Sequence, residues 1–541
     1  MKCKAFVCLM LCVLLLAGCV SNTAPELSGA VKTQQALEKL GTLGYCVPDD
    51  NYRTYYEVFV YSFCDADGDG IGDLKGLQSK LDYLQELGIT GLWLMPIHPS
   101  TTYHKYNVAD YYAIDPAYGT MEDMEAFLAD CNSRNIRVIL DLVVNHTGFD
   151  HGWFQAAADY LKALPSGASP DSAQCKFLDY YFFSRESGNG MRRLEGTDFY
   201  YEAMFSPDMP DLNLDNPEVR TEIEKIMRFW LEKGVAGFRL DAAKEFFSGR
   251  VSKNVEVLRW LQTAATDIKK DAYLVAEVWD AFANVTAYYE SGISSIFNYP
   301  FGDSSGKIVS VIRGAGNPAT VSTYATALEK ADKAYLGNNP DYIDAPFLSN
   351  HDVGRIAGFC GQNMEKTKLA GAMNLLMGGS AFIYYGEEIG MAGSGNDPSK
   401  RAPMYWNSAP DNGTTAPPPD CRVAEHPFPP LEDQRGDDRS IYNYYRQAIA
   451  IRNAIPAIPR GRVAAEMPLN AGCVSAQRKT WNDQSCIILM NIAAEAATVD
   501  LTDYADWHLA ASLCTGEEPV TISGGALQLP AYGIGILTPK Q

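Results

Sequence analysis

Little in this 541-residue chain is basic: 45 lysines and arginines face 66 aspartates and glutamates, for a formal charge of −21 and a pI near 4.8. That balance excludes the basic surface a nucleic-acid partner selects, and none is expected. After the first nineteen residues no run is long and apolar enough to cross a bilayer. No CxxC or CxxxH spacing signals zinc, and the nine cysteines beyond the leader are odd in number and irregularly placed. Cys473 and Cys486 flank a hairpin and could be bridged. There are no internal repeats.

Apolar and aromatic side chains are plentiful. They make up 47% and 11% of residues, with 31 tyrosines and eight tryptophans. Such a chain buries a large core, and its length predicts two or three domains. Lys2 and Lys4 precede a short apolar stretch that ends Leu16-Ala17-Gly18-Cys19. This reads as a signal peptide over 1–19, resembling a lipoprotein leader in which Cys19 would carry lipid. Residues 20–45 then read as a tether. The expected address is the cell surface, lipid-anchored and facing outside, extracellular or periplasmic. A monomer is expected.

Strand-like runs at 57–63, 91–96, 137–143, 237–241, 273–278, 295–299, 345–350 and 381–385 alternate with helical spacing at 121–134, 218–233 and 251–270. Eight parallel strands with intervening helices predict an α/β fold, a closed (β/α)8 barrel over 46–454. About seventy residues interrupt the rhythm after the third strand, and excursions of that length are usually functional. After residue 450 the alternation stops. The runs 474–480, 485–492 and 533–537 predict an antiparallel β-sandwich over 455–541.

Four segments couple short apolar runs to polar ends: 141–146 (DLVVNH), 237–245 (GFRLDAAKE), 277–280 (EVWD) and 347–352 (FLSNHD). Strands that deliver Asp241, Glu277 and Asp352 to one rim of a barrel equip it for glycoside hydrolysis, which needs paired carboxylates. Arg239, two residues before Asp241, would hold that carboxylate ionised, as a nucleophile requires. Glu277 ends an apolar run that would raise its pKa, as a proton donor requires. Asp352, beside His351, would add a third charge near the sugar.

In order and content these segments resemble the signature regions of the α-amylase family of glycoside hydrolases (family 13). The resemblance covers about 50–541 and includes 91–97 (GLWLMPI) and 379–388 (GSAFIYYGEE). The segment 209–213 (MPDLN) resembles the group intermediate between oligo-1,6-glucosidases and neopullulanases, to which bacterial lipoprotein α-amylases are similar. It implies a small domain B at 147–211, Asp241 as nucleophile, Glu277 as acid/base and Asp352 as transition-state stabiliser. It implies sugar contacts for His146, Arg239 and His351, and stacking for Tyr106. Lys244 resembles the α-amylase lysine that reaches past the cleavage point, whereas Glu245 stands where many relatives have histidine. Arg401, in 400–406 (KRAPMYW), resembles a segment of the α-glucosidase side of the family, with two of six positions changed.

The run 65–73 (DADGDGIGD) alternates carboxylates with glycines, a spacing that wraps oxygens around a hard cation. It is not an EF-hand, because the twelfth position is Gly76. It resembles the family's calcium loop, with Asp65, Asp67, Asp69, Asp73 and the Ile71 carbonyl as ligands of a structural Ca2+. Asn145 binds a different calcium in many amylases, and that site stays open. The implied activity is retaining, endo-acting cleavage of α-1,4-glucosidic bonds in starch or maltooligosaccharides. The alternatives are an exo-acting α-glucosidase or oligo-1,6-glucosidase, and a non-catalytic glucan-binding surface protein.

Overall fold

The computed structural model describes residues 31–41, 49–165, 167–409, 413–422 and 426–540. The expected leader and Cys19 lie outside them. Seven parallel strands form one sheet: β1 (Thr54–Val58), β2 (Gly91–Leu94), β3 (Arg137–Leu142), β4 (Gly237–Leu240), β5 (Tyr273–Ala276), β6 (Ser295–Ile296) and β7 (Ala381–Tyr384). β1 pairs with both β2 and β7, so the sheet curls round on itself. The gap between β6 and β7 is filled by the extended segment 344–347. Phe297 bridges Ala345 in parallel, and the N–H groups of Ser380 and Phe382 reach the carbonyls of Asp344 and Pro346 at 2.7 and 2.8 Å. The chain is a (β/α)8 barrel.

Two expected strands differ. The run 345–350 makes only that single bridge, because Pro346 has no N–H to give a ladder. The first strand lies earlier than 57–63, and Val60–Ser62 forms a 3-10 turn instead. Every residue from Thr54 to Val60 is buried, so the apolar run carries no mark of where the strand stops.

Inward-facing residues alternate along each strand, as the pleat demands. The lower part of the barrel is filled by rings. Tyr55 stacks between Tyr273 and Phe382 at 5.3 and 4.9 Å. Gly91 must be glycine, because a Cβ there would lie 2.4 Å from the Tyr55 ring. One step up, the inward positions turn polar: Glu57, Asp141, Arg239 and Glu277.

The helices expected at 121–134, 218–233 and 251–270 are Met121–Ser133, Pro217–Glu232 and Val251–Ile268. Asn216 caps the second through its side chain, accepting from Glu218 N–H, with Pro217 in the first turn. The excursion after β3 holds a helix, Gly152–Ala163, and a three-stranded antiparallel sheet. Its two ends are tied by an antiparallel bridge between His146 and Asp211.

At the C-terminus a five-stranded sheet faces a three-stranded one across Val474, Ile487, Leu489, Val499, Leu527 and Leu537. Alternate residues of Gln484–Asn491, among them Ile488 and Met490, pack on the barrel core instead. Burial of both faces explains the unbroken apolar run there. The suggested Cys473–Cys486 bridge does not form, and both are free thiols. Cys486 pairs with Lys479, whereas Cys473 sits at the far end of the hairpin, beyond the Val474–Asn491 pair. Six residue rises of about 3.4 Å each separate them along the strand.

Part of the expected tether is ordered. Val31–Gly41 is a helix whose first-turn N–H groups, Lys32 and Thr33, are received by the Asp438 carboxylate at 3.0 and 2.8 Å. Leu40 on this helix joins the main core.

Just after β7, Glu387 is buried with only neutral donors, Ser349 Oγ at 2.8 Å and Tyr445 Oη at 3.1 Å. Burial pushes its carboxyl up to about 8. A raised carboxyl binds its proton more tightly folded than unfolded, so its stabilisation is complete below about pH 4.5 and is lost as pH rises through about 8. Glu387→Gln should remove this slope, which is at most about 1.4 kcal/mol per pH unit within the window. Urea unfolding of both proteins across the window checks it. Parallel stability curves would show that Glu387 does not hold a proton.

Candidate active site

The register of three strands builds the centre of the site. Arg239 on β4 lies directly beside Asp141 on β3 and Val275 on β5, with Glu277 one inward position above Val275. Arg239 is fully buried. Its Nη1 donates to Asp141 Oδ1 at 2.8 Å and to Asp241 Oδ1 at 2.6 Å, and its Nη2 to Glu277 Oε2 at 2.7 Å. The same Glu277 oxygen accepts the Ala242 N–H at 2.8 Å. Ala242 holds φ at +45°, the left-handed region an alanine seldom occupies. That backbone turn aims its N–H at Glu277. The other oxygen, Oε1, receives Tyr299 Oη at 3.3 Å.

One guanidinium thus serves three carboxylates. Burial pushes Asp241 above the usual carboxylate range, against the pull of Arg239. The expectation that Arg239 settles Asp241 as ionised is therefore incomplete, since the cation is shared. Burial also raises Glu277, with Arg239 opposing and the charges of Asp241 and Asp352 adding to the rise. This is the expected direction.

A second cluster surrounds Asp352. Arg401 Nη2 reaches its Oδ1 at 2.9 Å, and His351 Nε2 lies 3.0 Å from its Oδ2. His351 Nδ1 lies 2.6 Å from Glu57 Oε1. Burial alone would raise Asp352, but His351 and then Arg401 hold it far below the usual range. Arg401 also donates to the His351 carbonyl and to Tyr103 Oη, at 3.1 and 3.0 Å. Tyr106 joins the clusters, its Oη 3.0 Å from Asp141 Oδ2 and 2.6 Å from His351 Nε2.

Above both clusters opens a cleft of about 600 Å3, within the range of about 300–1,000 Å3 usual for ligand sites. Asp241, Glu277, Asp352, Tyr106, His146 and Arg401 line it, and Lys244 lies at its edge. His146 is buried and neutral, pushed down to about 4 by that burial, and its Nε2 has no hydrogen-bond partner among the described residues. Lys244 donates to the Trp279 carbonyl at 3.2 Å. Two expected sugar contacts are placed differently. Arg239 and His351 are not among the cleft-lining residues: the Nη groups of Arg239 and both ring nitrogens of His351 face carboxylates, while Arg239 Nε has no partner among the described residues.

Several residues escaped the sequence reading. Asp141 and Glu57 are the buried acids of the two clusters; each is a lone charge at an inward position of an apolar strand, and that was the available signal. Phe205 and Trp279 are large, lie on the cleft and are half exposed. Trp279 stacks on Tyr299 at 5.2 Å. Phe205 comes from the excursion, where no strand pattern marks its place. His104 also lines the cleft.

In the acidic loop, Asp65, Asp67 and Asp73 bring carboxylate oxygens within 4.8 Å of one another. Gly68 and Gly70 take φ of +87° and +92°, which the tight turn requires. None of these acids pairs with a lysine or arginine among the described residues, so a hard cation fits the gathered charge. Asp69 does not join this group; its Oδ1 accepts the Ile71 N–H at 2.7 Å. At the other site, left open above, Asn145 Nδ2 donates directly to Asp211 Oδ1 at 3.2 Å.

Residues 57–461 match the family model described as the α-amylase catalytic domain. The chain is 42% identical over 427 residues to "Alpha-amylase 3" of Dictyoglomus thermophilum, covering 78% of this chain and 81% of that protein. It is 35% identical over 366 residues to a glucan 1,6-alpha-glucosidase of Streptococcus pneumoniae, covering 62% and 64%. Among solved structures, Eubacterium rectale Amy13B superposes with a TM-score of 0.90 at 44% identity, covering 93% of this chain and 98% of that one. The chain belongs to the α-amylase family of glycoside hydrolases.

Proposed function

We propose that this enzyme cleaves internal α-1,4-glucosidic bonds of starch or maltooligosaccharides with retention, through a covalent glycosyl–enzyme intermediate. The observation that carries the reading is the shared clamp of Arg239 on Asp241 and Glu277 beneath an open cleft. Asp241 attacks the anomeric carbon while the bond to the leaving oxygen breaks and Glu277 gives that oxygen a proton. Glu277 Oε2 already accepts from two donors, so the transferable proton sits on Oε1, beside Tyr299. Water then attacks the same carbon and loses its proton to Glu277, and Asp241 departs as carboxylate. Asp352, kept anionic by its two cations, faces the positive charge that develops on the ring. The orphaned His146 Nε2 takes a sugar hydroxyl, and the Tyr106 face packs on the sugar.

The exposed rings of Phe205 and Trp279 support an endo-acting habit, as platforms for sugar units beyond the bond that breaks. The α-amylase relative points the same way. An exo-acting glucosidase is the second reading, favoured by the glucan 1,6-alpha-glucosidase relative and by Arg401 on Asp352. Soluble starch decides between them: early loss of iodine staining with mixed oligosaccharides is expected, whereas glucose alone from intact starch would favour the exo reading. Glu277→Gln should lower kcat by about 10²–10⁴-fold. Turnover that survives it would remove Glu277 from the acid/base role, and inactivity of the parent on every glucan would restore the binding-protein reading.

We further propose that Asp65, Asp67 and Asp73 hold a structural Ca2+. Such an ion stabilises the fold by about 2.7 kcal/mol at one hundred times its Kd. Chelation should therefore lower Tm, added Ca2+ should restore it, and Asp67→Asn should lose the response. A Tm indifferent to both treatments counts against the ion. The leader supports a chain exported and anchored at the cell surface through lipid on Cys19. Metabolic labelling with a radioactive fatty acid should mark the parent and not Cys19→Ser; equal labelling would exclude that anchor.

A further inference from the structure

His351 is enclosed by acceptors. Its Nδ1 lies 2.6 Å from a carboxylate oxygen of Glu57, and its Nε2 lies 3.0 Å from a carboxylate oxygen of Asp352 and 2.6 Å from Tyr106 Oη. A neutral imidazole has one N–H and one lone pair. A neutral ring would set its lone pair against a carboxylate unless the Tyr106 hydroxyl, which donates to Asp141 Oδ2 at 3.0 Å, turned to Nε2 instead. The ring is fully buried, stacked on Tyr106 at 5.3 Å and met edge-on by Trp93 at 5.7 Å.

Glu57 comes from β1, on the opposite side of His351 from the cleft, and does not line it. It is buried and has no other side-chain partner than His351 among the described hydrogen bonds. Among the described residues no other offers Nδ1 an acceptor. We propose that Glu57 is a positioning residue of the reaction: its carboxylate keeps His351 doubly protonated, so that Nε2 is a fixed donor to Asp352. Glu57, His351 and Asp352 then form a carboxylate–imidazolium–carboxylate chain from the barrel wall to the cleft. It leaves Asp352 one oxygen for Arg401 and one for His351, with its charge intact.

The surroundings support that state. Burial alone would push the imidazole down, but Asp352 and Glu57 hold it up at about 9. Also facing it are Tyr106 and His104 from the loop after β2, Asp141 from β3, Arg239 and Asp241 from β4, and Arg401 through the His351 carbonyl. The two neighbouring arginines oppose a third cation and the acids favour it. Glu57 is the acid in direct contact with Nδ1.

This inference rests on the role proposed for Asp352, but its first test does not depend on turnover. In the full chain labelled with 15N-histidine, one of the seven histidines should have both ring nitrogens protonated at about pH 8 and be lost from the spectrum in His351→Asn. In Glu57→Gln the His351 imidazolium should titrate at least about one unit lower, since a buried contact of this kind shifts a pKa by one to three units. The ratio of variant to parent kcat, which cancels titrations common to both, should fall as pH rises from about 5 to 8. Glu57→Asp keeps the charge and should keep the ratio flat with pH, even where the rate drops. A parent spectrum with every histidine neutral at about pH 8 overturns the proposal without any variant. So does a Glu57→Gln ratio that is the same at every pH.

Discussion

The site depends on one buried cation. Arg239 has no exposed surface, and three carboxylates converge on it, Asp141 and Glu277 from the neighbouring strands and Asp241 from the end of its own. Removing water from a carboxylate costs several kcal/mol unless a partner and hydrogen bonds replace it. Here a planar guanidinium, with donors fixed in a fork, meets Asp141 and Asp241 with one prong and Glu277 with the other. A lysine could not hold three acids in those directions. The barrel makes the arrangement possible, because adjacent parallel strands in register set Arg239 level with Asp141 and one step below Glu277. Any slip of one residue would turn all of these groups outward.

Beneath this polar layer the barrel is filled by Tyr55, Tyr273, Phe297 and Phe382. Stacked rings give the floor its rigidity, and the absence of a side chain at Gly91 makes room for them. Above the layer the backbone itself takes part. The left-handed turn at Ala242 is strain of the kind that accumulates at reacting centres, and it is held because its N–H is committed to Glu277.

Much of this was legible in the residues. Strand identity and order followed from apolar runs separated by helical spacing, and Asp241, Glu277 and Asp352 followed from acids placed at the ends of such runs. What was not legible has physical causes. The 3-10 turn at Val60–Ser62 continues a fully buried run, so hydrophobicity could not end β1. The Asp141 and Glu57 carboxylates lie inside strands, where an acid reads as an exception and not as a partner. Phe205 enters the cleft from the irregular excursion, which has no period to follow. Arg239 and His351 were read as sugar contacts from the family resemblance, which reports which groups are near a rim. It does not report whether other acceptors have already taken their donors.

Charge counting joins the two clusters. Glu57, Asp141, Asp241, Glu277 and Asp352 could bring five negative charges beneath and around the cleft, against Arg239, Arg401 and the His351 imidazolium. Five anions against three cations cannot remain fully ionised in a buried site, so protons must be taken up by the acids least well served. Asp352 is excluded, with two cations on separate oxygens. Burial raises Glu57, and its direct contact with His351 opposes the rise. Burial pushes Asp141 up to about 7 although it holds Arg239 through both oxygens, at 2.8 and 3.1 Å, and raises Asp241 although its contact with Arg239 is the shortest, at 2.6 Å. Glu277 is raised as well. Its Oε1 has no cation on it and lies against the hydroxyl of Tyr299. The carboxyl that must give a proton to a leaving oxygen is among those that the distribution of arginine donors leaves able to hold one.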